Sequence, residues 1–488
     1  LYGALWLVTG LLAARLVRLL APGRPLPAFA AAALTLTACG DHSVNRLSYL
    51  ATCSSAAGLL WALGEATAWV LAGRRRSWAG AALALPLALF TYDGVLAGAL
   101  AAPLVLVSLP LGEDLAARAR RRRAVVGWAA LAGLYALAFV ALSLRPESYA
   151  RRVASSATAG ELAQRAVGLF AFNFTPWRWP GLFVRAEDGT RPEALPGGWL
   201  LALTLAGVVA VLWAGRLLVR RSPVPTASRL LPVAGACLAT ALLANAGAAL
   251  VVDWPFRSQA VSRIFVSLAL ALLADGLAAR LASAGRPRLA AWAWLACLPF
   301  VAGGLWAGLR SQDLYLTLWR RHRVELRSIL DQVPNLRPGG RLLLALPRNA
   351  PFTSCHYLPV GSTWLGYLYG DLKVPAVIWS AGGFECRVED QAFACRNPAR
   401  ADCYASGGCQ PLRLPFERTV LLRYVRAEGR FVLQRDLPPD LAPGAGGRYD
   451  PGGWIVPGPR SRWARELLDQ PELLGAFFPG PERGPQTR

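Results

Sequence analysis

The chain has 488 residues; 55% are hydrophobic, only 17% are charged, and the formal net charge is +23. A soluble protein of this length carries about 25% charged residues, so an ordinary soluble globular protein is excluded. The arginines stand in short clusters between apolar runs, where a membrane protein keeps them, and this argues against nucleic acid as the partner.

Apolar runs near the length that crosses a bilayer recur from Leu1 to about Arg310 and then largely stop. They predict helices near 1–20, 26–40, 51–73, 79–93, 95–112, 125–144, 199–218, 230–251, 264–284 and 288–309. The second and fourth are short enough to be tilted or partly re-entrant. Residues 1–20 lack the basic start and cleavage site of a signal peptide. The chain contains no methionine and opens inside an apolar run, so the native start is expected upstream. Lys373 is the only lysine. Arginine in its place, with abundant Ala, Gly and Pro, fits the codon usage of a GC-rich bacterial genome.

The arginines give the topology. If the loop with Arg15, Arg18 and Arg24 is cytoplasmic, every second loop should be basic. Those loops hold Arg74, Arg75 and Arg76; Arg118 and Arg120 to Arg123; Arg216, Arg220, Arg221 and Arg229; and Arg280, Arg286 and Arg288. The short loops on the other side hold only Arg46, Arg257 and Arg263. That asymmetry is the positive-inside pattern. It exports the loop 145–198 and everything after Arg310, and it predicts a multi-pass protein of the bacterial inner membrane.

The exported loop contains an amphipathic stretch, Glu161 to Phe172, followed by Asn173-Phe-Thr-Pro-Trp-Arg-Trp-Pro-Gly. Two readings stand: the tryptophans anchor the loop at the interface, or the loop covers a lipid-facing active site. From Ser311 the pattern is that of a small α/β domain. It comprises an amphipathic helix over Ser311 to Val333, strands at Arg341 to Pro347 and Val374 to Trp379, and a hairpin formed by Thr419 to Val425 and Phe431 to Gln434. The expected organisation is therefore a bundle of about ten transmembrane helices over 1–310, an extracytoplasmic α/β domain over 311–437 and a loosely ordered Gly/Pro/Arg-rich tail over 438–488. A short helix near Ser461 to Leu474 interrupts that tail.

Cys355, Cys386, Cys395, Cys403 and Cys409 fall in the expected exported domain with no Cys-x-x-Cys spacing. Disulfides are expected there rather than a zinc site, with Cys386–Cys395 and Cys403–Cys409 the preferred pairing, although spacing alone does not fix connectivity. Cys39, Cys53, Cys237 and Cys297 lie in apolar segments and read as packing residues.

Polar groups at the ends of apolar helices carry a functional expectation. Three sets fall on the outer face: Asp41, His42, Asn45 and Arg46; Tyr92 and Asp93; and Asp253, Trp254, Arg257, Gln259 and Arg263. Such a set could bind a divalent metal or a phosphate, or act in acid–base chemistry, or be no more than polar loop ends. Glu65 and Asp275, inside apolar helices, are expected to pair within the bundle. No phosphate-binding loop, His-Glu-x-x-His or Gly-x-Ser-x-Gly motif occurs.

The stretch Leu-Thr-Ala-Cys-Gly-Asp41-His42-Ser-Val-Asn45 and the later Phe90-Thr-Tyr92-Asp93-Gly-Val-Leu-Ala-Gly-Ala-Leu-Ala-Ala-Pro103-Leu resemble segments of the GT-C superfamily of polytopic glycosyltransferases. A bundle followed by an exported α/β domain is common there. The resemblance implies transfer of a sugar from a polyprenyl-phosphate donor in the bilayer to an envelope acceptor. Asp41, His42 and Asp93 would line the substrate site, and Arg257 and Arg263 would hold the lipid phosphate. Tyr92 stands where relatives carry a lysine, and the proline that often follows the histidine is absent. The family's catalytic acid lies in a first exported loop that would precede Leu1, so no catalytic residue is assigned. A transporter or lipid flippase is the alternative, although no internal repeat is visible and polar residues sit at helix ends rather than centres. A non-catalytic anchored envelope protein ranks third, since ten helices exceed what anchoring needs.

Overall fold

The computed structural model of the chain describes residues 2–38, 50–143, 158–184, 191–221, 230–251, 259–345, 376–379, 385–396, 410–425, 427–437 and 449–469. The chain divides into two compact units, one formed by Leu1–Val184 with Pro196–Gln312, the other by Arg185–Leu195 with Asp313–Arg488.

Among its described residues the first unit is helical throughout, without strands. Its helices are α1 (Tyr2–Leu20), α2 (Pro25–Thr37), α3 (Leu50–Ala72), α4 (Arg75–Thr91), α5 (Leu96–Ala101), α6 (Pro103–Val107), α7 (Leu115–Ser143), α8 (Ala159–Phe172), α9 (Gly197–Arg221), α10 (Leu231–Val251), α11 (Ala260–Ser283), α12 (Pro287–Trp292) and the first part of α13 (Leu298–Gln332). The described part of every expected apolar segment is mainly helical, but among the described residues only six stretches are long and apolar enough to cross a bilayer: Gly3–Leu20, Leu50–Ala72, Leu115–Ser143, Gly197–Leu218, Ala260–Ser283 and Arg288–Gln332. Pro25–Thr37, Leu96–Val107 and Leu231–Ala246 are apolar but shorter. At 1.5 Å per residue, α2 reaches only about 20 Å against a hydrocarbon core of about 30 Å. The last apolar stretch and the amphipathic stretch after it form one continuous helix, α13.

Small residues let these helices approach closely. A Cβ on Gly98 of α5 would fall 2.5 Å from Cγ1 of Val261 on α11, and one on Gly10 of α1 would fall 2.7 Å from Leu36 on α2. Membrane helices associate through such packing because lipid supplies no hydrophobic drive. The break between α5 and α6 has a specific cause. Pro103 has no N–H, so the carbonyl of Ala99, four residues earlier, loses its helical donor. The buried indole Nε1 of Trp128 on α7 donates to that carbonyl at 2.7 Å, and the Thr240 hydroxyl of α10 donates to Ala101 at 3.3 Å. Trp128→Phe is therefore expected to lower stability by about 1–3 kcal/mol, the cost of an unsatisfied buried carbonyl. Adding Pro103→Ala should restore most of the loss in thermal unfolding of the detergent-solubilised protein, because alanine returns the missing N–H. Failure of that rescue would refute the assignment.

Glu65 and Asp275 both find cations, as their placement in apolar helices requires. Arg15 Nη2 donates to Glu65 at 2.5 Å. Arg24 grips Asp275 with both guanidinium nitrogens, Nη1 reaching Oδ2 at 2.6 Å. Cys53, Cys237 and Cys297 are buried, in keeping with a packing role.

In the second unit a mixed sheet has the order β3-β2-β7-β8, with β2 (Arg341–Ala345) parallel to β3 (Ala376–Trp379) and β7 (Thr419–Val425), and β8 (Arg430–Leu433) antiparallel to β7. The expected strands and hairpin fall here. One face packs on Ile329, Leu330 and Val333 of α13 and on Ala464 and Leu468 of α14 (Arg462–Leu468). The other face packs on a second sheet, β4 (Glu385–Glu389), β5 (Ala392–Arg396) and β6 (Leu412–Pro415), through Phe393 and Leu414. A two-stranded ladder joins β1 (Asn335–Leu336) to β9 (Ile455–Val456). Edge strand β8 is closed by α13: Ser328 Oγ accepts from Phe431 N at 3.0 Å, and Gln332 Oε1 accepts from Leu433 N at 2.7 Å. Cys386 and Cys395 face each other across β4 and β5 and are disulfide-bonded, as expected. Cys39, Cys355, Cys403 and Cys409 lie outside the described residues, as does most of the expected Gly/Pro/Arg-rich tail.

Tyr449 ties the sheet to the chain beyond it. Its hydroxyl donates to the Gln434 carbonyl at 2.9 Å and accepts from Leu421 N at 3.1 Å. Burial pushes the phenol up to about 12, against the opposing Leu421 hydrogen bond. The folded form thus holds this proton more tightly than the unfolded chain. That contribution is complete below pH 10 and is lost as pH rises from about 10 to about 12. Thermal unfolding followed by circular dichroism should show that alkaline loss, and Tyr449→Phe should be weaker at neutral pH yet lack the step.

Candidate functional site

Polar side chains from several segments meet at one end of the first unit. At the start of α11 lie Gln259, Ser262 and Arg263, all buried. Arg263 donates from Nη1 to the carbonyl of Ala38, the residue that caps the C-terminus of α2, at 2.8 Å. A guanidinium at that position satisfies an orphan carbonyl and complements the negative end of the helix dipole. Beside it, Asn173, which caps α8, donates from Nδ2 to Leu169 O at 3.1 Å and to Ser262 Oγ at 3.3 Å. Asn245 of α10 donates to the same Ser262 oxygen at 3.0 Å. Both asparagines are buried, and their side-chain carbonyl oxygens have no partner among the described residues. A cavity of about 10 Å³, room for roughly one water, is lined by Ala38, Asn173, Trp179, Arg263, Ser267 and Phe300.

Asp93 opens a single 3₁₀ turn, Asp93–Val95, after α4. This turn leads into α5, whose Gly98 abuts Val261, two residues before Arg263, with Ala244 3.6 Å away. The turn also packs against α3 and α10. The structure therefore brings the backbone around Asp93, the end of α2 and the start of α11 to the same end of the unit. Asp41, His42 and Arg257 lie outside the described residues.

Sequence reasoning singled out Arg263 but not its tie to α2, and it passed over Asn245 and Ser262. The usable signal was a lone polar residue within an apolar helix, such as Asn245 in Leu-Leu-Ala-Asn-Ala-Gly. Among the described residues no three His, Cys, Asp or Glu side chains come together as a metal site would need. Glu161, in the first turn of α8, is held below the usual carboxylate range by hydrogen bonds from the Thr158 backbone and hydroxyl. That capping box is structural.

The fold and this polar end define a helical protein with several apolar helices of membrane-spanning length and a small region of short sheets. Comparison with protein-family models, with curated proteins and with solved structures found no match.

Proposed function

We propose that this chain is a multi-pass inner-membrane glycosyltransferase of the GT-C type, moving a sugar from a polyprenyl-phosphate donor to an envelope acceptor on the outer face. The observation that carries this reading is the Arg263–Ala38 hydrogen bond. It ties the start of the helix that follows Arg257 in the sequence to the end of the helix that precedes Asp41 and His42, at the end of the unit that also holds the turn beginning at Asp93. Carboxylates, an imidazole and arginines at the mouth of an apolar bundle suit a donor whose tail stays in lipid while its phosphate meets bidentate arginine contacts. Arg263 itself is 3% exposed and engaged with α2, which gives Arg257 the larger share of phosphate binding in this scheme.

Two further observations support an outer location for the second unit. Asp313, buried on α13, accepts from the backbone N–H groups of Ala194 and Leu195 at 2.7 and 2.8 Å. The arginine pattern exports both the loop holding those residues and the segment holding Asp313. The Cys386–Cys395 disulfide fits an oxidising compartment. The transporter alternative gains little, because the paired acids lie toward the arginine-rich ends of their helices. Asp275 is five residues from Arg280, and Glu65 bonds Arg15.

In protein expressed from the complete gene, Asp93→Asn and Arg257→Ala should each abolish transfer from a polyprenyl-phosphate-linked sugar while leaving the thermal unfolding profile unchanged. Undiminished transfer by both variants would overturn the site.

A further inference from the structure

We propose that α8 and the tryptophan-bearing 3₁₀ segment after it, Ala159–Phe183, form an interfacial element whose exposed face (Val167, Ala171 and Trp177) lies among the lipids of the outer leaflet. This rests on the membrane reading of the bundle and not on sugar transfer.

The depth of the element is fixed at two points. Asn173, at the end of α8, is bonded to Ser262 in the first turn of α11. Ser262 is eighteen residues from Arg280, which belongs to an inner arginine cluster, so it stands about 27 Å along the helix from that boundary. Pro176 provides the second measure. A Cβ on Gly303 of α13 would fall 2.7 Å from the Pro176 carbonyl oxygen. Gly303 is fifteen residues from Arg288, about 25 Å when the tighter 3₁₀ turn Ala293–Cys297 is included. Both distances approach the roughly 30 Å thickness of the hydrocarbon core, which puts residues 173–176 near the opposite boundary.

At that level the surface chemistry is selective. The polar residues of α8, Glu161, Gln164 and Arg165, fall in its first half, and every residue from Ala166 to Phe172 is apolar. One face of this stretch is spent on the bundle, with Ala166 and Leu169 buried and α8 packed on α10. The opposite face is nonetheless exposed: Val167 is 54% exposed, and Gly168 and Ala171 lie open beside it. A helix apolar on both faces calls for a nonaqueous neighbour on the face the protein leaves open. Trp177 in the 3₁₀ segment is 72% exposed, whereas Trp179 two residues on is buried against Phe300 and donates to Phe172 O at 3.0 Å. Trp199, 53% exposed near the start of α9, lies at the outer end of its own span in the same topology. Exposed indoles gathered at one level are the mark of the membrane–water boundary, where the ring sits among headgroups. Within the expected exported loop, α8 itself is thus held in the interface, and not only tethered by the spans that flank it.

The test places the photoreactive residue p-benzoylphenylalanine at position 167, at 177 and, as a lipid-facing reference on α9, at Val209, which is 62% exposed. The whole protein is reconstituted in phosphatidylethanolamine–phosphatidylglycerol vesicles, irradiated and analysed for adducts by mass spectrometry. Phospholipid adducts at 167 and 177 as well as at 209 are expected. An adduct at 209 with none at 167 or 177, or with only protein–protein adducts there, overturns the proposal and leaves the bundle in the membrane. No lipid adduct even at 209 overturns the membrane reading beneath it.

Discussion

Replacing Asp275 by alanine is expected to lower the stability of the helical unit by about 3–5 kcal/mol, because it strands a guanidinium that is already out of water. Asp275 is 1% exposed and Arg24 only 16%, and their contact is bidentate. For a unit of this size the loss corresponds to a fall of roughly 5–8 °C in unfolding temperature. The effect comes less from the attraction between the charges than from the desolvated partner left behind. The double variant Arg24→Leu/Asp275→Leu removes both charges and should therefore be far less damaging than Asp275→Ala alone. Unfolding temperatures in detergent decide the matter, and a double variant as unstable as the single one would refute this account of the pair.

The second large effect is steric. Gly304 of α13 is buried against the backbone of Thr37, the last residue of α2, and a Cβ there would overlap the Thr37 carbonyl oxygen. Backbone cannot step aside as a flexible side chain can, so Gly304→Ala should force α2 and α13 apart at a cost of about 1–3 kcal/mol or more. Gly308, one turn further along α13, has nothing within 4 Å of a Cβ. There alanine should stabilise by up to about 1 kcal/mol through helix propensity. The same substitution at two glycines of one helix thus carries opposite signs. Equal effects would show that α2 does not lie on α13 as described.

The helices were legible in the sequence because an apolar run near 20 residues has few other uses, and the described part of each expected run is mainly helical. Their lengths were harder to read. Pro103 interrupts a run that hydropathy treats as whole, and α13 passes through residue 310 because its pattern changes from apolar to amphipathic without a helix breaker. In the second unit the strands rich in Leu and Val stood out. The β4–β5 hairpin did not, because Glu385 to Glu389 is mostly polar and the turn lacks glycine. Asp390 and Gln391 both adopt positive φ there, 44° and 59°, a two-residue turn normally signalled by Asn-Gly or Asp-Gly. The disulfide that closes this hairpin was legible even though the hairpin was not.

The candidate site was legible as a set of helix ends and illegible as a network. Arginine periodicity assigns Arg263 to one side of a membrane, but nothing in one dimension says that its guanidinium closes the end of α2. Asn245 and Ser262 were hidden for a related reason: a single amide or hydroxyl barely lowers the hydropathy of an apolar window. Their meaning comes from Asn173, 89 residues from Ser262, which reaches the same hydroxyl.

Sidedness underlies the proposed site, the proposed interfacial helix and the expected place of the disulfide alike. It is measured most directly by fusing alkaline phosphatase, active only outside the cytoplasm, or green fluorescent protein, fluorescent only within it, after Arg123, after Arg221 and after Leu437. Phosphatase activity at Leu437 alone, with fluorescence at Arg123 and Arg221 alone, is the expected result. Fluorescence from a fusion at Leu437, or phosphatase activity at either arginine cluster, would contradict it.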